Sequence, residues 1–284
     1  MTKIIIFGAT GFVGKAIHAK LLGSSKEIIK IDRNKFFELT TSPLKFRNII
    51  GESDIIVFAA AKAPSKTNVD FLENMFLVQE FVNLVNGTPF SYLLNISSDA
   101  VYGDYLRPIL ENDFPQPGSL HGIMHYSREL LLNYYFGDRM GNLRPTLIYG
   151  PEDTHSGYGP NRFIKQALMN KPIEIFGNGE EQRDHIFIDD LAVIAEQMIN
   201  LSYRGNLNAA TGQTIDFKSI AIYVQEIIPM SKIIYKDRDQ KNLPHNGYRA
   251  FDISNLTKIV PNIKFHNMKD GIKNTITWSN KYGI

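Results

Sequence analysis

The chain has 284 residues, 43% hydrophobic and 21% charged, the make-up of a folded globular protein and not of a disordered or low-complexity one. Lys and Arg number 31 against 29 Asp and Glu, a net charge of +2, so there is no electrostatic footprint for nucleic acid or an anionic membrane. Cysteine is absent, which excludes disulfides, a thiolate nucleophile and cysteine metal ligation, and no metal site is expected.

Met1–Phe7 is too short for the apolar core of a signal peptide, and the apolar run Ile55–Ala61 stops at Lys62. A soluble cytoplasmic protein is therefore expected. Lys3–Phe7 reads as a strand, followed by Gly8-Ala9-Thr10-Gly11-Phe12-Val13-Gly14 and a helix over about Val13–Leu22. A glycine-rich turn between a first strand and a first helix suits a dinucleotide. One glycine permits the tight bend, another lets backbone N–H groups approach a pyrophosphate, and the third lets helix pack on strand. The helix N-terminus adds partial positive charge. Glu27–Ile31 is the second strand, and it ends at Asp32. A carboxylate there accepts from ribose hydroxyls and repels a 2′-phosphate, which favours NAD. Arg33 beside it keeps NADP open, because a guanidinium pairs with phosphate.

The segment from Asp32 to Asp54 leaves little room for a full strand plus helix. Asp54–Ala61 reads as a strand, Phe71–Asn86 as a helix, and Ser91–Ile96 as a strand entering a polar turn at Ser97–Asp99. A helix over His121–Phe136 and a strand over Asn142–Ile148 follow. This alternation predicts a doubly wound parallel α/β sheet, with ligands at the C-terminal edge of the strands. Beyond Tyr149 the texture turns Gly- and Pro-rich. The expected division is a cofactor-binding domain over 1–150 and a smaller substrate lobe over 151–284. The chain is expected to cross back to the first domain near 184–200.

On these motifs the sequence resembles the extended short-chain dehydrogenase/reductases, in particular the NAD-dependent nucleotide-sugar epimerases and dehydratases, over nearly its whole length. Ala59-Ala60-Ala61 matches the family's strand end, and Asn95-Ile96-Ser97-Ser98-Asp99-Ala100-Val101-Tyr102-Gly103 its serine-bearing strand end. The most specific match is Pro172-Ile173-Glu174-Ile175-Phe176-Gly177-Asn178-Gly179 followed by Arg183-Asp184-His185-Ile186-Phe187-Ile188-Asp189-Asp190. The resemblance implies a Rossmann-type fold, bound NAD, a nucleotide-sugar substrate and a homodimer paired through the helices Phe71–Asn86 and His121–Phe136. It implies that Ser98 orients the sugar and that Arg183, with Arg249 as a second candidate, binds the diphosphate. Hydride transfer is expected at a sugar carbon, by analogy C4.

The chain departs from the family at its catalytic pair, a tyrosine and a lysine four residues later. Here Met124 and Arg128 stand in those places, and Tyr-x-x-x-Lys occurs nowhere in the sequence. A thioether carries no titrating proton, and a guanidinium stays protonated. Arg128 is left to hold the nicotinamide ribose. His121, Met124, His125 and Arg128 share one helix face, so His125 or His121 is a candidate proton carrier. Asp99 is either a turn residue or a replacement base. Because Ala100 follows Asp99, the extra acid/base pair that dehydration needs is missing. Epimerisation or simple oxidation/reduction is favoured, with a keto-sugar reductase and a non-catalytic dinucleotide-binding sensor as the competing expectations.

Overall fold

The computed structural model describes residues 2–153, 157, 159–238 and 244–283. The first half runs β1 (Lys3–Phe7), α1 (Phe12–Leu21), β2 (Glu27–Ile31), α2 (Arg33–Thr41), α3 (Pro43–Arg47), β3 (Ile55–Phe58), α4 (Asn68–Val85), β4 (Tyr92–Ile96), α5 (Leu120–Phe136) and β5 (Met140–Pro145). The second half runs β6 (Leu147–Tyr149), α6 (Pro160–Leu168), β7 (Ile173–Phe176), β8 (Gln182–Phe187), α7 (Ile188–Leu201), β9 (Gly205–Ala209), β10 (Thr214–Asp216), α8 (Phe217–Ile227), β11 (Ile233–Lys236), β12 (Tyr248–Arg249), α9 (Ser254–Ile259) and α10 (Met268–Tyr282).

Six parallel strands form the main sheet in the order β2-β1-β3-β4-β5-β9. Its strands are apolar on both faces because helices cover both. One face packs Ile4, Ile6, Val57 and Leu94 against α1 and α7. The other packs Phe7, Phe36, Phe46, Phe58 and Phe81, with Phe58 and Phe81 stacked at 4.1 Å between ring centroids. The second lobe holds a sheet in the order β10-β8-β12, joined by β6 against β8, and a β11–β7 pair. Its own core is built from α6, α8 and α10 around Phe163, Ile175, Val224 and Ile272.

Three details differ from the sequence expectations. The stretch after Asp32 holds two short helices, α2 and α3, capped by Asp32 and begun by Pro43. The strand expected over Asn142–Ile148 is two strands, because the Thr146 amide donates to the Ala209 carbonyl at 3.0 Å, after which the chain leaves the main sheet for β8. The return to the first domain spans α7 and β9, and residues 253–265 also pack on that core, so the later chain is shared between the lobes.

Candidate active site

A cleft of about 1640 Å³ runs along the C-terminal edge of the main sheet and under the second lobe. A single small-molecule pocket measures about 300–1,000 Å³, so this one has room for more than one ligand. Its described lining includes Gly11, Phe12, Val13, Ala59, Ala61, Ser98, Asp99, His121, His125, Arg183 and Arg249 from among the sequence candidates.

The glycine turn is built by close backbone approach. Gly8 has φ +83°, and a Cβ on it would stand 2.6 Å from the Ala60 amide nitrogen. A Cβ on Gly14 would stand 2.1 Å from the Gly8 carbonyl oxygen. Gly11 is the N-cap of α1 and supplies no side-chain cap, so first-turn amides of α1 are open toward the cleft at Phe12 and Val13. Thr10 is exposed at the tip of the turn. These features fit a dinucleotide pyrophosphate. Ala60 lies behind the turn and is absent from the lining, while its neighbours Ala59 and Ala61 form the wall. Asn74 fixes the chain beyond that wall by accepting from the Lys62 amide at 2.8 Å and donating to the Lys62 carbonyl at 2.9 Å. Asp32 caps α2 through the Lys35 amide at 2.8 Å, and Arg33 lies over the Phe37 ring at 5.9 Å. Both are exposed at the end of β2 and outside the cleft lining.

Ser98 follows β4, and its hydroxyl accepts from the Ala100 amide at 3.1 Å. The strand end beneath it is fixed by a buried network. Ser97 donates to Glu129 at 2.5 Å, and Arg144 grips the same carboxylate with two bonds of 2.9 and 2.6 Å. Arg144 also donates to the Tyr102 hydroxyl, which donates to Asn208.

Helix α5 descends from the cleft rim into the protein. His121 is half-buried, its Nδ1 accepting from the Ser65 amide at 3.4 Å, and its ring meets His125 edge-on at 4.6 Å between centroids. His125 is buried and its Nδ1 has no partner. Burial, with Arg128 and His121 nearby, holds its pKa well below the ordinary histidine value.

Several candidates need correction. Met124 is fully buried and does not line the cleft. Arg128 is 1% exposed and also lies outside the lining. Its guanidinium donates to the Ala60 carbonyl at 3.0 Å, the Phe58 carbonyl at 3.5 Å and the Ile96 carbonyl, and sits 4.7 Å from the Phe58 ring centroid. It braces the ends of β3 and β4 instead of reaching for a ribose. Burial lowers its pKa to about 10, still far above neutrality. Asp99 is not an available base, because Arg249 Nε donates to its carboxylate at 2.8 Å. Arg249 also donates to the Asp99 and Gly103 carbonyls at 2.6 and 3.1 Å, so its fork holds the β4–α5 connection together.

Sequence reasoning missed a further group. Glu181 and Arg238 lie beside Arg183, and His245 contacts Asp104 at 2.5 Å. His185 is buried, with Nδ1 on the Arg183 carbonyl at 3.2 Å and Nε2 unpartnered, and burial drives its pKa down to about 3. Strand period was the available signal, since 181, 183 and 185 alternate onto one face. Among the described residues, no cluster of three or more His, Asp or Glu could hold a metal ion, and no helix is long and apolar enough to cross a membrane.

A parallel sheet with a glycine turn at its first strand and a second lobe roofing the cleft defines a two-lobed dinucleotide-binding α/β protein. Residues 4–208 match the NAD dependent epimerase/dehydratase family, and the chain belongs to that family. It is similar to the uncharacterized UDP-glucose epimerase YtcB of Bacillus subtilis (strain 168), 23% identical over 312 residues and 97% of each chain. It is also similar to a dTDP-4-dehydro-6-deoxyglucose reductase of Escherichia coli, 27% identical over 252 residues, 76% of this chain and 79% of the relative. A UDP-glucuronic acid 4-epimerase from Bacillus cereus, solved with UDP-glucuronic acid and NAD, superposes with a TM-score of 0.83 at 21% identity, covering 99% of both chains. MoeE5, solved with UDP-glucose and NAD, gives a TM-score of 0.83 at 19% identity, covering 99% of this chain and 100% of that one.

Proposed function

We propose that the protein is an NAD-dependent epimerase or oxidoreductase acting at a sugar carbon, by analogy C4, of a nucleotide-activated sugar. The observation that carries this reading is the large cleft that joins the open N-terminus of α1 to Arg183 on β8. Phe12 and Val13 amides and the wall formed by Ala59 and Ala61 hold the cofactor. NAD, when bound, supplies the hydride acceptor. Ser98 orients the sugar hydroxyl, and Arg183 faces the diphosphate.

The proton needs a carrier other than Met124. His125, kept neutral by burial, relays the hydroxyl proton through its ring to His121 without holding it as a charge, and His121 at the rim exchanges it with solvent. The similarity to the Escherichia coli reductase favours a second reading, in which the same pair delivers a proton while NADH or NADPH reduces a keto sugar. NAD over NADP follows from Asp32 at the end of β2. The protein is proposed to be cytoplasmic and to pair as a homodimer through α4 and α5.

One experiment tests the reading. Purified protein is mixed with NAD and then with a panel of UDP- and dTDP-sugars, and nicotinamide absorbance is followed in a single turnover. Absorbance gain with a hydroxy sugar, or loss from NADH with its keto form, is expected. His125→Phe and His121→Phe should each slow that change about 100-fold or more, the scale of a lost general acid or base. Firm NAD binding with no turnover on any sugar would leave a non-catalytic cofactor-binding protein instead.

A further inference from the structure

The cleft holds another imidazole, one that the hydride step leaves unused. His245 stands in the connection before β12, and Asp104 in the connection that leads from Ser98 to α5. Both line the cleft, and His245 Nδ1 lies 2.5 Å from Asp104 Oδ1. Arg249 closes the group. Its Nε donates to Asp99 at 2.8 Å, and its Nη1 donates to the Gly103 carbonyl at 3.1 Å and to the same Asp104 oxygen at 3.4 Å. Nη1 also stands 3.1 Å from His245 Nδ1, because two donors converge on one carboxylate oxygen. A carboxylate only accepts, so Nδ1 carries the ring proton and Nε2 keeps its lone pair. Burial and the Arg249 charge lower the His245 pKa, so the ring is neutral at neutral pH.

The backbone holds this ring under strain. His245 has φ +54° and Asn246 φ +51°, left-handed values that residues other than glycine rarely take. Both flanks are fixed. The Pro244 carbonyl accepts from Arg183 at 2.5 Å, and Ile109 exchanges backbone bonds with Ala250 and Asp252 at 2.9 and 3.0 Å. His245 therefore lies between Arg183 and the Ser98–Asp99 turn. A hexose linked to its nucleotide at the anomeric carbon and held by Ser98 at its C4 oxygen brings the ring carbons beside C4 to that place.

We propose that His245, aimed by Asp104, is the base for the carbon next to the keto group of a 4-keto nucleotide sugar. The proposal rests on the nucleotide-sugar reading for its substrate. The C–H bond at C3 or C5 breaks, and its proton passes to Nε2. The bonding pair forms a C=C bond, and the carbonyl pair moves onto the C4 oxygen beside Ser98. Return of a proton to carbon restores the ketone, so no electrons are gained or lost. Asp104 is exposed and His245 half-buried, so the ring trades its proton with water before giving one back. Solvent hydrogen thus enters the sugar, an activity separate from hydride transfer.

Proton NMR in D2O tests this, with UDP- and dTDP-4-keto-6-deoxyglucose as probes and calorimetry reporting their binding. Loss of the sugar proton signal at C3 or C5 faster than in protein-free buffer is expected. His245→Gly keeps the left-handed backbone, which glycine takes freely, and should slow that loss about 100-fold. Added imidazole should restore part of the rate, which a lost structural contact would not allow. Asp104→Asn should slow exchange about 10-fold or more with probe affinity unchanged, because Asp104 positions the ring and does not touch the sugar. Exchange at the unaltered rate in His245→Gly, a loss that imidazole leaves untouched, or a probe that binds without exchange overturns this assignment alone. If neither probe binds, the nucleotide-sugar reading falls and the assignment falls with it.

Discussion

Arg128 shows how one substitution changes a side chain's work. A lysine offers one ammonium, whereas the guanidinium reaches three carbonyls at once, at the ends of β3 and β4. Arg128→Met leaves those carbonyls without their donor in a buried place and should destabilise the fold by about 2–4 kcal/mol. Arg128→Lys, which keeps one donor, should cost less. Urea unfolding measures the stability, and NAD titration of the folded variants separates a brace from a ribose ligand. A tenfold loss of NAD affinity with unchanged urea midpoint would return Arg128 to the cofactor site. From sequence, the shared helix face of 121, 125 and 128 was legible by spacing alone. What the spacing could not show is depth. The face starts at the rim with His121 and ends under the floor with Arg128.

At the scale of elements, the glycine turn and the main strands were readable because each carries a local physical requirement. Gly8 needs a positive φ, and β1 is apolar throughout. Gly122 was not readable in the same way. A Cβ there would stand 2.0 Å from the Ala100 carbonyl oxygen, so α5 lies directly on the turn that carries Ser98 and Asp99. That contact joins residues far apart in sequence, and no local pattern announces it. The Asp99–Arg249 pair, 150 positions apart, was hidden for the same reason. The outward faces of α4 and α5 do carry a pattern. Val69, Leu72 and Phe76 on α4 are 56%, 61% and 56% exposed, and Ile123 and Leu130 on α5 are 40% and 54% exposed. The two helices pack beside each other, and a pair of helices turning apolar side chains to water suits an isologous interface. Of Leu130, Leu131 and Leu132, only Leu130 is exposed and Leu132 is core. Sedimentation equilibrium should report twice the 32.2 kDa chain mass, and Phe76→Glu with Leu130→Glu should return it to one. A monomeric unaltered protein would remove the pairing.

For the whole molecule, acid stability follows from histidines held without charge. His125 and His185 are both buried, and burial depresses both pKa values, His185 to about 3. The unfolded chain takes up protons on these rings near pH 6.5, and the native state refuses them. Their contribution is therefore complete above pH 6.5 and falls as the pH drops, for His185 by about 2 kcal/mol between pH 7.5 and 5. Asp184 acts in the opposite sense. Burial raises its carboxyl to about 6 despite bonds from the Thr211 and Gly212 amides, so native protein gains a proton there that the unfolded chain takes only at lower pH. The slope of the unaltered protein is accordingly smaller than two histidines alone would give. His185→Phe isolates one of them. It keeps the ring against Phe217, whose centroid lies 5.8 Å from that of His185, and removes the titrating nitrogens. The stability lost between pH 7.5 and 5, read from urea midpoints, should shrink by about 2 kcal/mol in this variant. An identical loss in both proteins would mean that His185 takes up its proton in the native state and that the lobe interior admits water.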